Sequence, residues 1–197
     1  MPIMTFLPQF HSLYSLINHG LVIFAAAIVV IIDTILILFF LDYVFGGEDF
    51  RTNQEAIEEI AHIIRQEGKS GGRLYDLGSS RGNFCIEMKR ILPECEIIGI
   101  DNSIIRVYFA RLRALMTRSD VTFQYKDILE ADLSNATMFN IYLPSGLLPQ
   151  LLERIRASGS RREVFMYRIG ISDLAATVET RLADQKIPTN QVRMYII

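Results

Sequence analysis

Ten residues, Tyr75-Asp76-Leu77-Gly78-Ser79-Ser80-Arg81-Gly82-Asn83-Phe84, narrow the fold more than any other stretch of the chain. Ahead of the turn, Arg73, Leu74, Tyr75 and Leu77 form a short, mostly apolar run that predicts a buried strand. Beyond it, Phe84, Met88, Ile91 and Leu92 recur at helical spacing until Pro93 stops the pattern. Two glycines and two serines fill the turn between. Strand, small-residue loop and helix in that order aim backbone N–H groups and a helix N-terminus at one point, where only small side chains let a ligand approach. Asp76 adds an acceptor beside the loop. A second strand, Glu96 to Ile100, ends in Asp101, 25 residues after Asp76, where nucleotide-binding α/β folds place an acid.

The rest of the C-terminal chain alternates in the same way. Asn102-Ser103 caps a helix running to about Met116, whose Arg106, Arg111, Arg113 and Arg118 read as a solvated face. Val121 to Tyr125 alternates as a third strand and leads into Asp127-Ile128. Ala136 to Leu143 reads as a fourth strand, followed by a helix with Leu147, Leu148, Leu151, Leu152 and Ile155 inward. Val164 to Ile169 is a fifth strand, and Thr177–Leu182 with Gln191–Ile197 predicts a closing hairpin. Upstream, Thr52-Asn53-Gln54-Glu55 reads as a capping box, ahead of Ala56, Ile57, Ile60, Ala61, Ile63 and Ile64 on one helical face. His62 lies one position off that stripe, at the solvent edge.

The first fifty residues are of another kind. They hold no Lys or Arg and four acids, Asp33, Asp42, Glu48 and Asp49, so all 20 basic residues lie beyond them. Pro2 and Pro8 argue against a long helix in residues 1–20. Leu21 to Leu41 gives 21 residues broken only by Asp33 and Thr34. As a helix that run spans roughly 31 Å, enough for a bilayer core. A cleaved signal peptide fits poorly, since no basic segment precedes an apolar stretch this long. The chain therefore divides into residues 1–45 with a single membrane span at about 21–41, a hinge at 46–51, and a domain at 52–197. Arg51 is the basic residue nearest the span, and it places the C-terminal domain on the cytoplasmic side of a single-pass protein. Asp33 reads either as a partner-seeking acid inside the membrane or as a tolerated, protonated carboxyl.

Composition excludes several functions. A net charge of −2 argues against non-specific nucleic-acid binding. The two cysteines, Cys85 and Cys95, fit neither a metal spacing nor a disulfide framework, and no metal site is expected. Gly-x-Gly-x-x-Gly spacing is absent from the loop, which disfavours a nicotinamide dehydrogenase.

Asp76, the glycine loop and the strand ending in Asp101 together resemble the cofactor site of the class I S-adenosylmethionine (SAM) methyltransferases. The resemblance implies a Rossmann-like α/β sheet of seven strands with a terminal β-hairpin. Later motifs are softer: Gly99-Ile100-Asp101-Asn102-Ser103, Arg111-Leu112-Arg113-Ala114, Asp127-Ile128-Leu129-Glu130-Ala131-Asp132-Leu133-Ser134 and Ile141-Tyr142-Leu143-Pro144. They are similar to the small membrane-anchored protein lysine methyltransferases, archaeal and mitochondrial, over about residues 50–197. Carried over by position, Asp76, Gly78, Ser79, Ser80 and Gly82 would shape the pocket for the methionine part of SAM. Asp101, with Asn102 beside it, would accept hydrogen bonds from the ribose hydroxyls. Asp127 would hold the adenine amino group with Ile128 against the ring, and Tyr142 would face the methyl group and the nucleophile. One departure stands out: Ser80 occupies a position where the family usually has glycine, and Arg81 follows it. Ser80 either crowds the methionine carboxylate or donates a hydrogen bond to it. Arg81 either pairs with that carboxylate or points to solvent.

Methyl transfer from a sulfonium needs alignment and exclusion of water more than an acid–base pair, so the lack of a catalytic motif is expected. The sequence thus predicts a membrane-tethered SAM-dependent methyltransferase acting on a lysine of a membrane-associated protein. Its rivals are a small-molecule or lipid methyltransferase, for example on a quinone, and a non-catalytic membrane adaptor with a degenerate domain.

Overall fold

The computed structural model describes residues 7–45, 52–143, 145–172, 174–183 and 189–197. The expected hinge at 46–51 lies outside them. The chain divides into two compact units, Met1–Gly47 and Glu48–Ile197. The first holds one helix, α1 (Leu7–Phe45). It starts well before Leu21, against the expectation from the prolines. Pro8 falls in its first turn, where a missing N–H costs nothing and a fixed φ suits the helix. Within α1, Tyr14–Leu38 is apolar and long enough to cross a membrane.

The second unit is a seven-stranded sheet covered on both faces. Its elements run α2 (Gln54–Gln66), β1 (Arg73–Leu77), α3 (Asn83–Ile91), β2 (Glu96–Asp101), α4 (Ile104–Thr117), β3 (Thr122–Tyr125), β4 (Met138–Ile141), a 3₁₀ turn (Ser145–Leu147), α5 (Leu148–Ala157), β5 (Glu163–Tyr167), β6 (Val178–Arg181) and β7 (Gln191–Ile196). The strand order is β3-β2-β1-β4-β5-β7-β6. The first five strands are parallel, and β7 inserts antiparallel between β5 and its hairpin partner β6. This is the Rossmann-like α/β sheet with a terminal hairpin that the strand–helix alternation predicts.

Period-2 alternation sends neighbouring strand residues into two cores. Leu74, Ile97, Met138, Phe165 and Met194 pack with the apolar faces of α2, α3 and α4. Tyr75, Ile98, Phe139, Val164 and Tyr195 pack on the other side with Leu151, Leu152 and Ile155 of α5. The strands read as near-continuous apolar runs because helices cover both faces of the parallel part.

Local details correct the sequence reading in three places. The N-cap of α2 is Asn53, whose Oδ1 accepts from Ala56 N at 2.8 Å, so the cap sits one residue after Thr52. Glu55 closes no capping box; its carboxylate accepts from Ala183 N at 2.5 Å. Leu147 is 41 % exposed in the 3₁₀ turn and faces away from the core that holds Leu148 and Leu151. The arginines of α4 are no simple solvated face either: Arg106 is buried, and Arg111 donates through Nε and Nη2 to Phe123 O at 3.0 and 2.7 Å. His62 is exposed and pairs with Gln66 at 2.9 Å, as its place off the stripe implies. Among the described residues no group of His, Cys, Asp and Glu is arranged to hold a metal ion.

Candidate cofactor site

The site forms where β1 and β4 end side by side. Their register sets Asp76 opposite Asn140, two polar residues set among buried apolar ones. The Asn140 amide donates from Nδ2 to Asp76 Oδ1 at 2.7 Å, and the Cys85 thiol donates to Asp76 Oδ2 at 3.2 Å. Burial dominates the acid's chemistry and pushes its pKa from 3.8 up to about 6; the Asn140 and Cys85 donors oppose that rise, and the nearby Asp101 charge adds to it. Cys85, wholly buried against this carboxylate, has its own pKa pushed up by the same burial and by the Asp76 charge, so it stays a thiol.

The glycine loop is tied down rather than open. Gly78 N and Ser79 N both donate to Ile100 O at 2.8 and 2.9 Å, and Ser80 N donates to Asp101 Oδ2 at 2.8 Å. Asp101 Oδ1 accepts from Ser103 N at 2.8 Å. The expectation that loop N–H groups aim at a ligand is therefore corrected for these three residues, whose N–H groups lock the loop onto the end of β2. What faces the cavity instead is the start of α3, at Asn83 and Phe84, behind a Gly82 N-cap that supplies no side-chain bond. Gly82 holds φ +73°, and a Cβ there would lie 2.4 Å from Phe123 Cζ. Ser80 adopts the left-handed φ of +47°, which explains why glycine suits its position.

A cavity of about 260 Å³ opens over these groups, lined by Thr52, Asp76, Gly78, Ser79, Ser80, Arg81, Asn83, Phe84, Arg113, Asn140 and Tyr142. Five of the sequence candidates, Asp76, Gly78, Ser79, Ser80 and Tyr142, thus share one wall. Gly82, Asp101, Asn102, Asp127 and Ile128 are off it. Asp101 and Ile128 are buried; Asp127 is exposed and accepts from Leu129 N at 2.8 Å in a turn of its own. Tyr142 stacks edge-on against Tyr167, with ring centroids 5.3 Å apart. Sequence reasoning missed Asn140, Phe84, Asn83, Arg113 and Thr52. Asn140 left a signal, an amide in the middle of Met138-Phe139-Asn140-Ile141; Arg113 stood in a family-like motif but read as solvated, because only the fold brings it to Arg81 O at 3.0 Å and Asn83 Oδ1 at 3.4 Å.

The residues present fit the amino-acid end of SAM. Ser79 Oγ and Asn140 Oδ1 are buried beside the cavity and find no hydrogen-bond partner in the protein, a costly arrangement that a polar ligand would relieve. Asp76 supplies negative charge, and Arg81, Arg113 and the N-terminus of α3 supply positive charge, which suits a zwitterion.

Comparison with known proteins agrees with the geometry. Residues 68–160, just under half of the chain, match the family model described as a methyltransferase domain. Carboxy-S-adenosyl-L-methionine synthases are the named curated relatives. That of Helicobacter pylori (strain HPAG1) is 35 % identical over 83 residues, 42 % of this chain and 34 % of its own length. The chain thus spans about a third of the length of the curated relatives it matches. Among solved structures, an RNA methyltransferase from Salinibacter ruber bound to S-adenosyl-L-homocysteine superposes with TM-score 0.67 at 22 % identity, over 75 % of this chain and 94 % of that one. The magnesium protoporphyrin IX methyltransferase of Synechocystis PCC 6803, with bound SAM, does so with TM-score 0.50 at 15 % identity, over 64 % of this chain and 68 % of that one. None of the relatives named here is a lysine methyltransferase. Seven-stranded sheet and glycine loop give the Glu48–Ile197 unit the fold of the class I SAM-dependent methyltransferases, and residues 68–160 within it match a methyltransferase domain.

Proposed function

We propose that this domain binds SAM at the Asp76–Asn140 wall and transfers its methyl group to an acceptor that enters on the Tyr142 side. The observation that carries the reading is the pair of buried, unsatisfied oxygens, Ser79 Oγ and Asn140 Oδ1, on a cavity walled by the glycine loop. SAM supplies an electrophilic methyl group on a sulfonium. The chain supplies position: Asp76 and Asn140 hold the amino end, and Arg81 and Arg113 face the carboxylate end. Asp101, Asn102, Asp127 and Ile128 keep the roles toward ribose and adenine that the motif resemblance implies. Tyr142 and Phe84 give the site apolar walls that exclude water from the displacement. Asp76 is ionised above about pH 6 and so can hold a cationic amine at neutral pH.

The acceptor inferred from the later motifs is a lysine side chain of a membrane-associated protein, approached by a chain tethered through α1, with the domain on the cytoplasmic side. Its amine must arrive neutral, which an apolar pocket favours by lowering its pKa. A small-molecule acceptor is the second reading, favoured by the likeness to carboxy-SAM synthases, whose named product is a small molecule.

The test is calorimetric titration of SAM into the full chain in detergent, beside Asn140→Ala. Micromolar binding is expected, weakened roughly tenfold or more in the variant, since a lost hydrogen bond to a charged group costs about 1.5–3 kcal/mol. No binding by the folded wild-type chain would leave the adaptor reading in place. Methyl-labelled SAM then separates the acceptors: label on membrane protein supports lysine, and label in the organic extract supports a small molecule.

A further inference from the structure

Helix α4 is apolar on two sides. One side packs into the sheet through Val107, Ala110 and Ala114, with Arg106 buried beside them. The other carries Ile104, Tyr108, Leu112, Leu115 and Met116, each between 49 % and 76 % exposed. Projected down the helix, these five fall within about 120° of one another. Single exposed apolar residues are ordinary, but a contiguous row of five large ones marks an interaction surface.

The charges around the row identify its partner. In the same projection Arg111 borders one edge of the apolar arc, and Arg118, the C-cap residue, follows at the end of the helix. Between Asn102 and Ser119 the chain has four arginines and no acid. The Arg111 guanidinium lies 5.8 Å from the Tyr108 ring centroid, along the margin of the row. A second copy of this face would set arginine against arginine, and α4 itself holds no acid to offset them. An apolar arc edged with arginine matches an anionic lipid surface instead, with large side chains at the headgroup–acyl boundary and guanidinium groups among phosphates. The same chain carries α1, whose Tyr14–Leu38 stretch is long and apolar enough to cross a bilayer.

We propose that the exposed face of α4 docks on an anionic membrane surface, so that the methyltransferase domain makes a second, peripheral contact with the bilayer. The proposal leans on the reading of α1 as a membrane span, and the experiment separates the two. The chain contains no tryptophan, so Leu115→Trp gives the full-length protein a single indole at a position 76 % exposed, where the exchange disturbs no core contact. The variant is reconstituted into vesicles of phosphatidylcholine with or without about 30 % phosphatidylglycerol, in ordinary and brominated-chain forms. Flotation reports on α1; quenching of the indole by brominated chains reports on α4.

The expected result is flotation with both vesicles and a roughly twofold loss of emission in the anionic, brominated ones, reduced in neutral lipid and by high salt. Adding Leu112→Glu should abolish the quenching while flotation and the thermal melting curve stay unchanged. Flotation with no quenching in anionic vesicles overturns the proposal and leaves the span intact. Shielded emission that ignores brominated lipid and accompanies a cross-linked dimer means that a second copy covers the face, and also overturns it. Flotation with anionic vesicles alone, reversed by salt, removes the span and keeps the α4 contact. No flotation with either vesicle removes both.

Discussion

Asp76 ties the stability of the fold to pH. Its pKa stands at about 6 in the folded chain, against an ordinary 3.8, chiefly because burial disfavours its charge. The native state therefore holds this proton more tightly than the unfolded chain. The stability it contributes is complete below about pH 3.8 and is lost as pH rises through about 6, by roughly 3 kcal/mol for a shift of about two units. Asp76→Asn keeps the shape and removes the charge. Denaturant unfolding at about pH 4.5 and pH 7.5 should show the wild type losing roughly 1–3 kcal/mol more than the variant over that interval. At the higher pH the variant should be the more stable protein and the weaker SAM binder. Equal slopes for the two proteins would refute the assignment. The glycine loop gives a second residue-scale test. Gly82→Ala must hold φ +73° and push into Phe123, so a cost of about 2–4 kcal/mol is expected from backbone and overpacking together. Ser80→Gly should go the other way, by up to about 1 kcal/mol, because it relieves a left-handed serine at φ +47°. Thermal melts of the two variants check both signs. Half of the site was legible before the fold. Asp76, Gly78, Ser79 and Ser80 fall within five consecutive residues, and the spacing of glycines announces them. Asn140 and Arg113 lie 64 and 32 residues from their partners, Asp76 and Arg81, and only the sheet register and the packing of α4 bring them in.

At the scale of elements, hydrophobic period carried most of the information. The stripe Ala56-Ile57-Ile60-Ala61-Ile63-Ile64 is the buried face of α2, and the apolar runs before Gly78 and Asp101 are β1 and β2. Boundaries were less legible, because several residues at an element's end satisfy the same local rules. Thr52 and Asn53 are both good caps. The structure uses Asn53, whose removal by Asn53→Ala should cost about 1 kcal/mol in urea unfolding. Thr52 is buried on the cavity wall, so Thr52→Ala should change SAM affinity more than helix stability. The reverse ranking would restore the capping-box reading. The exposed row on α4 was hidden for a related reason. Its residues obey the helical period, but a period alone does not say which of two apolar arcs meets the sheet. Val107, Ala110 and Ala114 decide it, since small side chains let the helix approach β2 and β3 and leave the larger ones outside.

For the whole molecule the quantity to test is whether α1 is apolar enough to hold the chain in lipid. From Leu21 to Leu38, α1 carries thirteen Leu, Ile, Val and Phe residues and one acid, Asp33. On insertion scales those thirteen contribute roughly 4–8 kcal/mol in favour of the bilayer, against about 2.5–3.5 kcal/mol for a central Asp. The balance favours insertion whether or not Asp33 has a partner, so the wild-type chain should stay in the membrane pellet through an alkaline carbonate wash and come out only with detergent. A second acid removes most of the surplus. Val29→Asp adds a further 2.5–3.5 kcal/mol or so and forfeits one favourable residue, which brings the sum near zero. That variant should appear largely in the alkaline supernatant. A wild-type chain released by alkali would show that α1 does not span the bilayer, and any membrane contact would then fall to the arginine-edged face of α4. The two modes differ in their response to salt: a span ignores ionic strength, and a peripheral contact to anionic lipid weakens as the Debye length shrinks from about 10 Å at 0.1 M to about 3 Å at 1 M. Washing membranes at both ionic strengths before the alkaline step therefore assigns the attachment to one helix or the other.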